Sequence, residues 1–93
     1  MRVAWSRPAR NDVFEIADHY DLIDPVLADS MLDKIRSAAQ PLLANPQIGA
    51  FMPSLGVRKW NVRGTPFLLL YAIRGNEIQI RRVRHVATDW LPE

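Results

Sequence analysis

The sequence predicts an α+β fold. A helix hairpin should pack on one face of a four-stranded, mainly antiparallel sheet, in the chain order β-α-α-β-β-β. Three observations carry this expectation. Two stretches in the first half, residues 9–20 and 28–43, space their apolar residues three and four apart, as an amphipathic helix does. Three strand-like runs in the second half are parted by glycine-bearing turns. A short alternating segment precedes them all.

Taken in order, residues 2–5 alternate Val3 and Trp5 with Arg2 and Ala4 and read as a strand. Ser6 or Arg7 then caps a helix, and Pro8 is tolerated in its first turn because the N–H it lacks has no partner there. Ala9, Val13, Ile16, Ala17 and Tyr20 form the apolar stripe, which leaves Asp12, Glu15 and Asp18 mostly on the wet side. Asp24-Pro25 starts a second helix, whose stripe runs through Ala28, Met31, Leu32, Ile35, Ala39 and Leu42 or Leu43. The connection between the helices is short, so they should form an antiparallel hairpin. Pro41 removes a helical hydrogen bond, which predicts a kink or an end near Ala38 and a separate short turn beyond it.

Residues 47–56 read as a loop punctuated by Gly49, Pro53 and Gly56. Strands are expected at 57–62, 67–74 and 77–86, joined by Arg63-Gly64-Thr65 and by Gly75-Asn76. The second of these is apolar on both faces and therefore central. Glycine at the first position of the Gly75-Asn76 turn suits type II′. In the last strand the alternation breaks at Arg81-Arg82. A regular strand puts Arg82 and Arg84 with Ile78 and Ile80, whereas a bulge there shifts the register. The residues from 87 onward should form a short turn that lays Trp90 on the core.

Ninety-three residues suffice for one domain, here spanning 1–93. The chain has no cysteine, so disulfide and thiol chemistry are excluded. Its N-terminus lacks the apolar core of a signal peptide, and its longest apolar run, 66–73, is too short to cross a bilayer. A cytoplasmic protein without a membrane partner is expected. The formal net charge of +2 is unevenly placed: residues 1–54 carry a net −2 and residues 55–93 a net +4. The positive potential, and with it any attraction for a polyanion, belongs to the strand-rich half.

The ordered set of elements and local motifs resembles the RelE/ParE toxin superfamily, the toxin components of bacterial type II toxin–antitoxin systems. The similarity lies in Val3-Ala4-Trp5-Ser6 at the opening, Ile16-Ala17-Asp18-His19-Tyr20 at the end of the first helix, and Asn45-Pro46-Gln47-Ile48-Gly49 after the second. It continues through the basic strand Val57-Arg58-Lys59-Trp60, the central strand Phe67-Leu68-Leu69-Leu70-Tyr71, the last strand Ile80-Arg81-Arg82-Val83-Arg84-His85, and Asp89-Trp90. The resemblance implies a growth-inhibiting toxin held inactive by a cognate antitoxin. It leaves two targets open, because RelE-like members cut mRNA on the ribosome and ParE-like members poison DNA gyrase.

Metal-independent RNA cleavage needs a base for the 2′ proton, cations for the phosphorane and an acid for the leaving oxygen. His85 is the acid–base candidate, with Arg82, Arg63 and Arg58 as catalytic cations. Against that reading, Leu68 stands where the RNA-cutting members carry an arginine, and Val86 stands where they carry a tyrosine. Residues 47–55 also contain no acid. The gyrase-directed reading is therefore slightly favoured over the ribosome-dependent endonuclease, and an inactive antitoxin-binding relic comes third. Lys59, Arg81, Arg84 and Trp90 are the candidate target-binding residues. The alternative for His85 is a strand-end histidine bonded to backbone or to Asp89, and for Trp60 and Trp90 it is packing. The resemblance further implies an antitoxin tail that folds on binding, either as a helix beside the hairpin or as a strand on a free sheet edge. Phe14, Leu22, Leu27 and Leu43 are candidates for the helix groove. His19 and His85 lack metal-ligand spacing, and no phosphate-binding glycine motif is present, so neither metal nor cofactor is expected.

Overall fold

The computed structural model describes residues 1–87. Along the chain come β1 (Arg2–Trp5), α1 (Arg7–Asp21), α2 (Pro25–Ser37), α3 (Gln40–Ala44), β2 (Ala50–Met52), β3 (Val57–Asn61), β4 (Phe67–Arg74) and β5 (Glu77–His85). The strands form one sheet in the order β1-β5-β4-β3-β2, with β4 at its centre as its apolar run predicts. All pairs are antiparallel except β1 on β5, where Arg2 to Trp5 run alongside Glu77 to Ile80. A parallel partner needs a long crossover, and the helices lie within it.

The sheet has five strands where four were expected. The addition is β2, inside the segment read as a loop. Three residues are too few to show an alternation. The strand exists because the main chain turns back at Gly56 (φ 66°), whose N–H donates to the Met52 carbonyl at 2.9 Å, and pairs with Val57 to Lys59.

The helix signals act as read. The Ser6 hydroxyl accepts from the Ala9 N–H at 3.1 Å, and the Asp24 carboxylate accepts from the Val26 N–H at 3.0 Å. α2 stops at Ser37, and Pro41 sits in the first turn of the separate α3, where its missing N–H costs nothing. Gly75 has φ 57° while Asn76 keeps a negative φ. A type II′ turn asks for this, and type I′ excludes it.

The two sheet faces differ in what covers them. On one, Ala9, Ile35 and Leu42 of the helices, with Ala39 between α2 and α3, bury Leu69, Tyr71, Ile78, Ile80 and Val83. Each such large side chain contributes about 1.5–3 kcal/mol by leaving water. On the other face Val57, Leu68, Leu70 and Ala72 cluster with Met52 and Leu55, and no helix residue joins them.

In β5 the register with β4 slips by one residue: Tyr71 lies opposite Ile80 but Leu70 lies opposite Arg82, so Arg81 is the extra residue of a bulge. The consequence reverses the pattern of a regular strand. Ile78, Ile80, Val83 and His85 face the helices, because Val83 pairs with Leu69 and His85 with Phe67. Arg84 pairs with Leu68 on the other face.

Candidate functional site

Four side chains were candidates for catalysis, and the structure does not gather them. Arg82 turns to α1. Its Nε and Nη2 donate to the two Asp12 carboxylate oxygens, each at 2.8 Å, and the Val83 N–H donates to the same carboxylate at 2.9 Å. Asp12 is only 8% exposed, which corrects its expected place on the wet side. The reason is geometric. β1 ends opposite Ile80, so the edge of β5 beyond it has no neighbouring strand, and the first turns of α1 take that place. The Ser6 N–H donates to the Ile80 carbonyl, the Ser6 hydroxyl donates to the Arg81 carbonyl, and Asp12 serves Val83. The bidentate ion pair holds the Arg82 guanidinium above its ordinary pKa, chiefly through the hydrogen bonds it donates to Asp12.

Arg58 is also used internally. It donates to the carbonyls of Gln47 (3.2 Å) and Gly49 (2.9 Å) and sits 5.4 Å from the Phe51 ring centroid. The fully buried Tyr71 hydroxyl holds the same segment, donating to the Pro46 carbonyl at 2.7 Å and accepting from the Gly49 N–H at 2.9 Å. Burial pushes the Tyr71 phenol above its ordinary value, outweighing the Gly49 hydrogen bond and the charge of Arg58. A Cβ on Gly49 would stand 2.7 Å from both the Lys59 carbonyl and the Tyr71 ring, so the close approach requires glycine.

His85 and Arg63 lie at one end of the sheet, where the Val86 N–H bonds to the Pro66 carbonyl beside the β3–β4 turn; Arg58 lies farther along, opposite Tyr71. The His85 ring packs edge-on against Phe67 (centroids 5.5 Å), which meets Tyr20 in the same way at 6.1 Å. Its Nδ1 accepts from the Ala87 N–H at 3.1 Å. A neutral ring so bonded carries its proton on Nε2. It therefore presents a donor, not the free base that 2′-OH attack needs. His19 is exposed and meets Tyr20 edge-on.

The target-binding candidates fare differently. On the helix-free face, the Arg81 guanidinium donates to the Gln79 amide oxygen (Nη2 at 2.9 Å), and the Gln79 amide donates to Glu77 at 3.0 Å. Glu77 also pairs with Arg2 at 2.9 Å. The Gln79 hydrogen bond, and after it Arg2, hold the Glu77 carboxyl below its usual range. Lys59, opposite Leu70, and Arg84, opposite Leu68, frame the same apolar floor. Lys59 is exposed, and Arg81 and Arg84 are half-buried. Among the described residues, none of the three is in an ion pair. Trp90 lies outside the described residues. Trp60 donates its indole N–H to the Ala38 carbonyl at 3.0 Å and packs against the core.

Of the antitoxin candidates, Phe14 (68%) and Leu22 (90%) are exposed, Leu27 is half-buried, and Leu43 packs against the core. Phe14 borders a recess of about 440 Å³ with Trp5, Val13, Arg10 and Arg36. Sequence reasoning missed Ile23 and Val26, which are exposed beside Leu22 at the hairpin tip. They fall outside either apolar stripe, and that is the signal that could have found them. Among the described residues no cluster of His, Asp or Glu is able to hold a metal ion, and no helix is long and apolar enough to cross a membrane.

Comparison with known proteins agrees with this architecture. The family described as "ParE toxin of type II toxin-antitoxin system, parDE" matches residues 3–90. A solved structure from P. aeruginosa, "Chromosomal ParDE TA system", is similar at 34% identity, with a TM-score of 0.81 over 91% of this chain and 95% of that one. No curated protein sequence matches. The helix hairpin, the bulged last strand and the match across nearly the whole chain lead to one conclusion: the chain belongs to the ParE toxin family of type II toxin–antitoxin systems.

Proposed function

We propose that this toxin acts in the cytoplasm by binding DNA gyrase rather than by cutting RNA, and that a cognate antitoxin neutralises it. The observation that carries the reading is the division of its cations. Arg58 and Arg82 are consumed by carbonyls and by Asp12, whereas Lys59, Arg81 and Arg84 frame the helix-free face around Leu68 and Leu70. An apolar floor rimmed by cations suits a protein surface with acidic groups. A nuclease needs a base and cations converging on one phosphate, and His85 stands apart from both internal arginines, offering a donor.

Purified gyrase assayed for supercoiling with stoichiometric toxin tests this directly. Inhibition by the wild type and its loss in the Lys59→Ala, Arg81→Ala, Arg84→Ala triple variant are expected. Unimpaired supercoiling, together with mRNA cuts in a toeprint on programmed ribosomes that vanish in His85→Ala, would replace the gyrase reading with the ribosome-dependent one.

A further inference from the structure

The acids of this chain are gathered in one place. Residues 11–33, which take in most of α1, the turn after it and the first part of α2, carry seven acidic side chains and no Lys or Arg. From residue 34 to residue 86 the only acid is Glu77, against nine Lys and Arg. The helix hairpin is thus an acidic arm on a basic sheet. Its tip is apolar as well. Every residue from Asp21 to Val26 is exposed, with Leu22 at 90%, Ile23 at 65% and Val26 at 76%. Large apolar side chains grouped in water mark a contact surface. Asp18, Asp21 and Asp24 flank them, and among the described residues none of these carboxylates is in an ion pair.

A complementary surface lies at the other end of α2. Lys34 and Pro41 on the helical side, with Trp60 and Arg63 on the sheet side, line a groove of about 950 Å³ to which no Asp or Glu contributes. The Lys34 ammonium stands near Gly64, the residue after Arg63, so two cations share one rim. Ile48, 44% exposed, adds apolar lining. The volume lies near the top of the roughly 300–1,000 Å³ range of ordinary ligand sites and has room for several side chains. Acidic meets basic here, apolar meets apolar, and a protrusion meets a hollow. Within one molecule they stay apart, because α2 is a continuous helix of 13 residues, about 20 Å long, between the tip and the groove. Tip against tip is disfavoured too, since it would set Asp21 and Asp24 against their own copies.

We infer that free copies of this chain join head to tail, the hairpin tip of one (Leu22, Ile23 and Val26, with Asp21) seated in the Lys34–Arg63 groove of the next. Each copy then keeps one tip or one groove unused, so the contact is heterologous and propagates. Its small area makes it weak, with a dissociation constant on the order of 100 μM. Neither the target nor the antitoxin is needed for it.

Sedimentation of the purified full chain at up to about 1 mM tests the inference. The mean mass should rise with concentration and pass that of a dimer, and added salt should move the rise to higher concentration. Ile23→Ser with Val26→Ser removes the tip, and Lys34→Glu with Arg63→Glu removes the groove; all four residues are exposed. Each pair of substitutions should weaken self-association at least about tenfold. Mixing the two variants is the decisive arm. The first keeps its groove and the second keeps its tip, so together they should form a one-to-one dimer and nothing larger. Should either variant fail to fold, Asp18→Lys with Asp21→Lys should still weaken association at least about fivefold. A wild type that stays monomeric at about 1 mM, a tip variant that associates as the wild type does, a groove variant that still dimerises, or a mixture without dimer would each overturn the inference.

Discussion

Arg81 and Arg82 are neighbours in the chain and meet at the bulge, yet their guanidiniums find different partners. Arg82 meets a buried carboxylate, makes two 2.8 Å hydrogen bonds and shares that carboxylate with the Val83 main chain. Arg81 meets only the amide oxygen of Gln79. The first joins α1 to the exposed edge of β5; the second charges a surface. The difference teaches that the arginines of this half cannot be summed as one binding field. Arg58 and Arg82 are structural members of the fold, and the surface proposed for a target is framed by Lys59, Arg81 and Arg84.

The sharpest way to break the comparison is Asp12→Ala. It leaves the Arg82 guanidinium and the buried Val83 N–H without their acceptor, at a cost of about 2–3 kcal/mol once the partial exposure of Arg82 is allowed for. For a chain of this size the melting temperature should fall by about 10 °C or more, as calorimetry would show. If Arg81→Ala costs as much, the two arginines do not differ as described. Next comes Gly49→Ala, whose methyl would press on the Lys59 carbonyl and on Tyr71. Overpacking there should cost about 1–3 kcal/mol in a denaturant titration.

Tyr71→Phe follows, removing the bonds to Pro46 and Gly49 for about 1–2 kcal/mol. It also has a pH signature. Because the folded phenol holds its proton more tightly than the unfolded one, its contribution is complete below about pH 10 and is lost as pH rises through the folded value. The alkaline decline of stability should therefore be shallower in the phenylalanine variant than in the wild type. The smallest effect on stability belongs to the Lys59, Arg81 and Arg84 alanine variants, each within about 0.5 kcal/mol. Together they should weaken gyrase inhibition at least about tenfold. A stable but fully active triple variant would show that the charged face is not where the target binds.

Elements announced by local chemistry were legible in the sequence. Ser6 and Asp24-Pro25 start helices, Pro41 ends one, Gly75-Asn76 sets a hairpin, and the apolar run of β4 marks the sheet centre. Features created by distant partners were not. β2 exists through pairing with β3. Asp12 is buried because β1 stops opposite Ile80, although its spacing of three from Ala9 and four from Ile16 already put it on the apolar side. The bulge was visible as a break at Arg81-Arg82, but the partner that Arg82 takes is a carboxylate some 70 residues away. Of the candidate residues, Lys59, Arg81 and Arg84 come to share the helix-free face, while the catalytic grouping disperses because Arg58 and Arg82 find carbonyls and a carboxylate that no local pattern announces.

The parallel seating of β1 against β5 has a consequence for synthesis. Among the described strands β1 is made before β5, its one neighbour, and Asp12 finds its arginine there too. Translation that terminates before residue 80 therefore releases a polypeptide with an orphaned opening strand and an unmatched carboxylate. Such a product should unfold rather than persist as a partly active fragment. The fold then closes only once β5 has been made.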